Sequence, residues 1–153
     1  MEPMSEAAAR QFLEKAPVAH VGVIDAGAPY VSPMSFVVEG NTIMFRTMPG
    51  RRLSAIKVNP AVSIEACRFD EESGDWASVI VTGKARLADD DASRQLVLSK
   101  LFEKYRDVLG SPLSRGGPQP MASLPHFVVV EIEEMSGMTS SGLFSMRTRP
   151  GRL

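Results

Sequence analysis

Strict alternation of apolar and polar residues, in short runs closed by turn residues, recurs along much of this sequence. Between residues 61 and 69, Val62, Ile64 and Ala66 fall on one side of an extended chain. A side-chain period of two is that of a β-strand with one buried face, so the sequence favours β-structure over a helical bundle. Such runs predict about six strands, at residues 18–24, 30–38, 42–47, 61–69, 76–87 and 125–133.

The connections between these runs indicate how the strands pair. Residues 25–27 and 39–41 are turn sequences short enough for hairpins, which join antiparallel neighbours. Helical stretches are few and do not separate successive strands, so the crossovers of a doubly wound parallel sheet are excluded. The sequence therefore predicts an α+β fold, with a Greek-key or meander sheet that curls into a small barrel.

Three helices are predicted beside the sheet. The first begins after an N-cap at Ser5 and ends at Lys15, because Pro17 cannot continue it. The second covers residues 51–58, and the third begins after the acidic residues 89–91 and reaches Leu109. Gly83 is expected to mark a bulge or bend, and residues 110–123 are expected to form a loop.

Composition indicates one domain in a reducing compartment. The 153 residues suit a single core, expected at about 12–137, with a mobile tail at 138–153. A net charge of -1 gives no field for nucleic acid or an anionic membrane, so neither is an expected partner. The lone Cys67 excludes an internal disulfide. With no apolar run near the ~20 residues that a membrane span needs, the cytoplasm is the expected location.

The segment 45–52 carries the most specific local chemistry. It joins a strand end, a tight turn and a helix start, and it contains Arg46, Thr47, Arg51 and Arg52. A helix N-terminus offers unpaired N–H groups, and guanidinium groups can bind phosphate in a bidentate manner, so the pattern is typical of anion capture. The alternative is a solvated turn whose arginines only keep an edge soluble.

Several motifs in this order resemble the pyridoxamine 5'-phosphate oxidase-like family of FMN-binding split barrels. They are the stretches 29–36 and 43–47, Arg-Arg-Leu at 51–53, Asn-Pro at 59–60, and 76–83. The resemblance covers roughly residues 12–87, with residues 127–133 as a looser continuation. Each motif alone is weak, and the ordered set carries the likeness.

The resemblance implies a homodimer of six-stranded antiparallel split β-barrels with FMN bound in grooves at the dimer interface. It assigns the FMN phosphate to Thr47, Arg51 and Arg52, with Arg46 beside it. It assigns a polar flavin contact to Ser78. The flavin ring would lie along a segment made of Ser32, Pro33, Met34, Ser35 and Phe36.

Departures from the family pattern argue against pyridoxamine phosphate oxidation itself. A true oxidase of that substrate has basic residues where this chain has Ser32 and Val37. The arginines at 147, 149 and 152 have no accompanying histidine. The expected function is therefore FMN-dependent oxidoreduction of an unidentified small molecule. The alternatives are an F420-dependent reductase, whose groove would draw on Arg46, Lys57 and the C-terminal arginines, and a flavin- or haem-binding protein without turnover.

The sequence names no catalytic side chain and no metal site. A bound flavin carries the electron chemistry itself, so no Ser/His/Asp or paired-carboxylate constellation is required. His20 and His126 are candidate haem ligands or acid/base groups, but we interpret them as satisfied core or interface histidines, because no second ligand lies at a suitable spacing.

Overall fold

Eight strands and three helices form the described part of the chain. The computed structural model describes residues 1–109 and 124–140. The helices are α1 (Glu6–Lys15), α2 (Arg51–Val58) and α3 (Asp91–Leu109). The strands are β1 (Glu2–Pro3), β2 (Ala19–Asp25), β3 (Ala28–Met34), β4 (Val37–Glu39), β5 (Thr42–Thr47), β6 (Ala61–Phe69), β7 (Trp76–Leu87) and β8 (His126–Thr139).

All of these strands belong to one antiparallel sheet, which confirms the predicted α+β split-barrel fold. The strand order is β3-β2-β6-β7-β8-β5-β4, and β1 pairs with the end of β8. The predicted number of six strands is corrected to eight. The expected strand at 30–38 is interrupted at Ser35 and Phe36, and the short β1 was not foreseen. At the interruption, the backbone N–H of Phe36 donates to the Tyr105 hydroxyl (3.0 Å) and not to a neighbouring strand.

The structure confirms the three predicted helices. The Ser5 hydroxyl accepts a hydrogen bond from the Ala8 amide (3.2 Å), which caps α1 as predicted. Both α2 and α3 cover the predicted residues. Strand β8 continues to Thr139, two residues into the predicted tail, while the rest of that tail beyond Ser140 and the predicted loop at 110–123 lie outside the described residues. No helix in the described ranges is long and apolar enough to span a bilayer.

Two apolar clusters stabilise the sheet. The larger is filled from the inward faces of the strands and from α1 and α2, and the smaller lies between α3 and the sheet. Phe36, Phe45 and Leu13 are the largest fully buried side chains of the larger cluster. The smaller cluster consists of Val37, Met44, Ala88, Val97, Leu101, Tyr105, Phe127 and Val129.

The predicted irregularity at Gly83 is confirmed. The register of the β7–β8 ladder shifts between Thr82 and Gly83. A Cβ added at Gly83 would lie 2.2 Å from the backbone oxygen of Glu131, so only glycine allows the two strands to approach at this point.

Candidate functional site

A cleft of about 400 Å³ opens where β5 ends, α2 begins and β3 passes. Its size falls in the range of small-molecule and cofactor sites. Strand β5 delivers Arg46 and Thr47, and a turn through Pro49 reverses the chain into α2. The lining residues are Tyr30, Ser32, Pro33, Met34, Ser35, Arg46, Thr47, Met48, Gly50, Arg51 and Arg52.

The N-terminus of α2 forms one end of the cleft and has the properties of an anion site. Gly50 occupies the N-cap position and supplies no side-chain hydrogen bond. The first N–H groups of α2 therefore have no capping side chain, and they carry the positive end of the helix dipole. Thr47 lines the same cleft and is only 7% exposed, and its hydroxyl donates to the Met48 carbonyl (3.4 Å). This end of the cleft can bind a phosphate or carboxylate.

Arg52 braces the wall of the cleft. Its Nε donates to the Ser32 hydroxyl (2.9 Å), and its Nη2 donates to the Pro33 carbonyl (2.7 Å). Partial burial lowers the pKa of the Arg52 guanidinium, an effect that the nearby Tyr30 opposes. An arginine remains charged despite such a shift. Arg52 thus fixes the end of β3 and also contributes positive charge to the cleft.

The other two arginines differ in how far they are engaged. Arg51 forms an ion pair with Asp25 and stacks on Tyr30, with its guanidinium carbon 4.3 Å from the ring centroid. Arg46 is exposed and has no hydrogen-bond or ion-pair partner within residues 1–109 and 124–140. Arg46 is therefore the cleft's uncommitted cation in the described part of the chain. Arg51 binds Asp25 through Nε alone, so within the described residues its two Nη groups remain as donors for an anion.

The wall contributed by β3 combines small polar groups with apolar surface. Ser32, Pro33, Met34 and Ser35 line the cleft, whereas Phe36 is fully buried behind them. Behind the wall, the Tyr105 hydroxyl binds the Phe36 backbone, and burial raises the pKa of this phenol. The end of β3 is thus held from within by α3.

Eight of the ten residues proposed from the sequence as cofactor contacts line this cleft, and Phe36 and Ser78 do not. Ser78 lies on the outward face of β7, where its hydroxyl donates to Glu65 (2.9 Å). His20 lies on the same face, with its Nδ1 3.5 Å from Glu65. These three side chains form a polar cluster away from the cleft of their own chain.

Tyr30, Gly50 and Asp25 were not among the predicted site residues, although the first two line the cleft and Asp25 binds Arg51. The position of Tyr30 could have been found, because it stands two residues from Ser32 on a strand and therefore shares its face. Nothing local identifies Asp25 as the partner of an arginine 26 residues away.

Each histidine lies beside a carboxylate, His20 at an exposed position and His126 at a half-buried one. His126 Nδ1 lies 2.6 Å from Asp89, whose other oxygen accepts the Phe127 amide (2.9 Å). Within the described residues, no group of three or more His, Cys, Asp or Glu side chains is placed to hold a metal ion.

The fold is a split-barrel domain, and its cleft has groups suited to an anion at the start of a helix. Residues 5–139 match the family described as pyridoxamine 5'-phosphate oxidase. The chain belongs to this family. An uncharacterized protein of Rhizobium meliloti (strain 1021) is 34% identical over 56 residues, which are 37% of this chain and only 36% of that protein.

Solved structures show the same fold. A FAD-binding protein from Mesorhizobium loti has a TM-score of 0.74 at 21% identity, covering 92% of this chain and 98% of its own. A FAD-binding protein from Mycobacterium smegmatis has a TM-score of 0.64 at 23% identity, covering 90% and 97%. A FAD and heme binding protein from the same organism has a TM-score of 0.69 at 17% identity, covering 90% and 72%.

Proposed function

We propose that this protein is a flavin-dependent oxidoreductase that binds FMN in the cleft between β3, β5 and α2. The observation that carries the proposal is the uncapped N-terminus of α2 in the same cleft as Thr47 and Arg46, beside a wall of small polar and apolar residues from β3. A flavin nucleotide joins a phosphate to a planar ring system, which is the combination that the cleft complements.

The residues present fit the parts of the nucleotide. Thr47, Arg46 and the amides that begin α2 would hold the phosphate, and Arg51 would join them through its Nη groups. The β3 wall braced by Arg52 would support the ring. When bound, the flavin supplies hydride or electron transfer, and the protein supplies binding and orientation.

Two positions argue against pyridoxamine phosphate as the substrate. Val37, which replaces a basic residue of the true oxidase, is 5% exposed and packs in the cluster beneath α3. Ser32 is already engaged by Arg52. Neither position offers a cation to a second phosphate, so a different small oxidant or reductant is expected.

FAD is the second candidate, because all three similar structures reported above are described as binding FAD, one of them together with heme. FAD presents a phosphate to the same groups. An F420 tail would need a longer basic groove. In the described residues the cleft lining has no basic side chain beyond its three arginines, and Lys57 lies in the last turn of α2 outside it. Haem is a further candidate ligand, which the titration below includes as haemin.

We further propose that the protein is a cytoplasmic homodimer whose second copy covers the outward face of β2, β3, β6 and β7. This face carries exposed apolar side chains that a monomer would leave in water, among them Val31 (62% exposed), Ile80 (47%) and Phe69 (64%). Val31 lies on β3 next to the cleft wall, so a copy docked here would border the cofactor site. The polar cluster around Glu65 would lie within the interface.

The decisive experiment is a titration of apo-protein with FMN, FAD, F420 and haemin in parallel, followed by fluorescence and absorbance. We expect tight binding of FMN. Arg46→Ala should weaken it about 10- to 100-fold, the loss expected for one charge-assisted hydrogen bond of ~1.5–3 kcal/mol. The double variant Arg51→Ala with Arg52→Ala should lose more FMN affinity than Arg46→Ala does.

Arg106→Ala is the matched control, since Arg106 is an exposed arginine on α3, outside the cleft lining and away from the proposed interface face. It should leave FMN affinity unchanged. A wild-type protein that binds neither FMN nor FAD would overturn the proposed function. Sedimentation of wild type and Ile80→Glu tests the dimer: the wild type should sediment as a dimer and the variant as a monomer, and a monomeric wild type with full flavin affinity would contradict the assembly.

A further inference from the structure

Asp89 and His126 form a hydrogen-bonded pair next to Thr47, a residue that lines the cleft. Thr47, the last residue of β5, is paired in register with His126, the first residue of β8. Residues directly opposite each other in an antiparallel ladder have their side chains on the same face, with Cβ atoms about 4.5–5.5 Å apart. His126 is therefore the neighbour of Thr47 one strand further from the cleft.

The three residues form a row across three adjacent strand ends. Leu87 pairs with Val128, and Val128 pairs with Phe45. Two residues beyond this paired row at the same end of the sheet, Asp89 follows Leu87, His126 precedes Val128 and Thr47 follows Phe45. A spacing of two keeps each residue on the same face as its counterpart in the row. The row connects the start of α3 with the cleft.

Asp89 fixes the orientation and tautomer of the imidazole. Its Oδ2 lies 2.6 Å from Nδ1, so Nδ1 carries a proton and donates it. Its Oδ1 accepts the Phe127 amide (2.9 Å), and an Arg94 nitrogen lies 3.9 Å away. Burial alone would raise the pKa of Asp89, but these partners together hold it below its usual value, so the carboxylate is ionised.

The second ring nitrogen of His126, Nε2, is not the atom that binds Asp89. No group in residues 1–109 and 124–140 forms a hydrogen bond with Nε2. With Nδ1–H already donated, a proton at Nε2 makes the ring a cation whose remaining N–H is a donor for an anion. Arg94 offsets the charge of Asp89, so the row as a whole does not repel an anion at Thr47.

We propose that His126 is a further phosphate-binding residue of the flavin site, donating from Nε2 to the phosphate held at Thr47, and that Asp89 is its positioning residue. This inference rests on the proposed function, because it requires a phosphorylated ligand in the cleft. It adds β8 to the elements that form the site.

The test compares FMN with riboflavin, which has the same ring and no phosphate. In His126→Asn, the side-chain amide approximates the position of Nδ1 and keeps a donor for Asp89, while Nε2 is lost. FMN affinity should fall roughly 10- to 100-fold, as expected for one charge-assisted hydrogen bond, with riboflavin affinity unchanged. Asp89→Asn should give a smaller fall, again for FMN alone.

Asp91→Asn is the control for the carboxylate, since Asp91 is an exposed residue at the start of the same helix. It should bind both ligands as the wild type does. Equal FMN affinity in wild type and His126→Asn would overturn the inference, and so would equal losses for FMN and riboflavin, which indicate a structural role. If Arg46→Ala weakens FMN while His126→Asn does not, only this inference fails; if the wild type binds no flavin nucleotide, the proposed function fails with it.

Discussion

Removal of one hydroxyl from α3 tests how the wall of the cleft is held. The Tyr105 hydroxyl accepts the Phe36 amide (3.0 Å) and donates towards the carbonyls of Pro17 (2.9 Å) and Phe36 (3.1 Å). Both Tyr105 and Phe36 are buried. In Tyr105→Phe the ring remains and only these hydrogen bonds disappear, so the change isolates their contribution.

The expected loss follows from the group left behind. A buried N–H without a partner costs about 1–3 kcal/mol, and a cavity term is small because only an oxygen is removed. We expect the free energy of unfolding to fall by about 2 kcal/mol. For a domain of this size the corresponding decrease in Tm is about 4–8 °C. Thermal unfolding followed by circular dichroism measures it directly.

Ser99→Ala is the matched control, because it removes a hydroxyl from the same helix. The Ser99 hydroxyl is exposed and donates only to the Leu96 carbonyl (2.9 Å). Its loss should change stability by no more than about 0.5 kcal/mol. If Tyr105→Phe unfolds at the same temperature as Ser99→Ala, the Phe36 amide does not depend on Tyr105 and the reasoning is refuted.

Two further predictions concern the sheet and the same helix. Gly83→Ala should lower the free energy of unfolding by about 1–3 kcal/mol in urea, because its Cβ would lie 2.2 Å from the Glu131 backbone oxygen. Gly22→Ala is the control and should cost less, because the nearest atom to its Cβ would be 3.5 Å away. Equal losses in the two variants would contradict this reasoning. Burial lowers the pKa of Lys104 from 10.5 to about 8. Between these values the unfolded chain binds more protons, so wild-type stability should rise with pH from about 8 to 10.5, and Lys104→Met, measured by the same method, should lack that rise.

Most element boundaries follow from local signals in the sequence. Helix α2 covers the predicted residues because a Pro-Gly turn begins it and Asn59-Pro60 ends it. The break between β3 and β4 has no such signal, since residues 30–38 read as one continuous strand. What interrupts it is Tyr105, 69 residues away, whose hydroxyl takes the hydrogen bonds that a strand neighbour would otherwise form.

The candidate site likewise depends partly on local sequence and partly on contacts between distant residues. Position along the chain is enough to bring Arg46, Thr47 and the start of α2 together, because a strand end, a tight turn and a helix start are contiguous. The β3 residues that line the cleft belong to the stretch 29–36, one of the motifs that carry the family resemblance. The sequence by itself therefore determined which groups meet in the cleft, a turn with the chemistry for anion binding beside a mixed polar and apolar wall.

Only the tertiary structure decided which of these groups are available to a ligand. Asp25 engages Arg51, Ser32 engages Arg52, and Asp89 orients His126 next to Thr47. Each pair joins residues 20 or more positions apart, so each depends on strand register and on where a distant loop returns to the sheet. Pairing of this kind arises from close packing in space, and residue spacing carries no local signal for it.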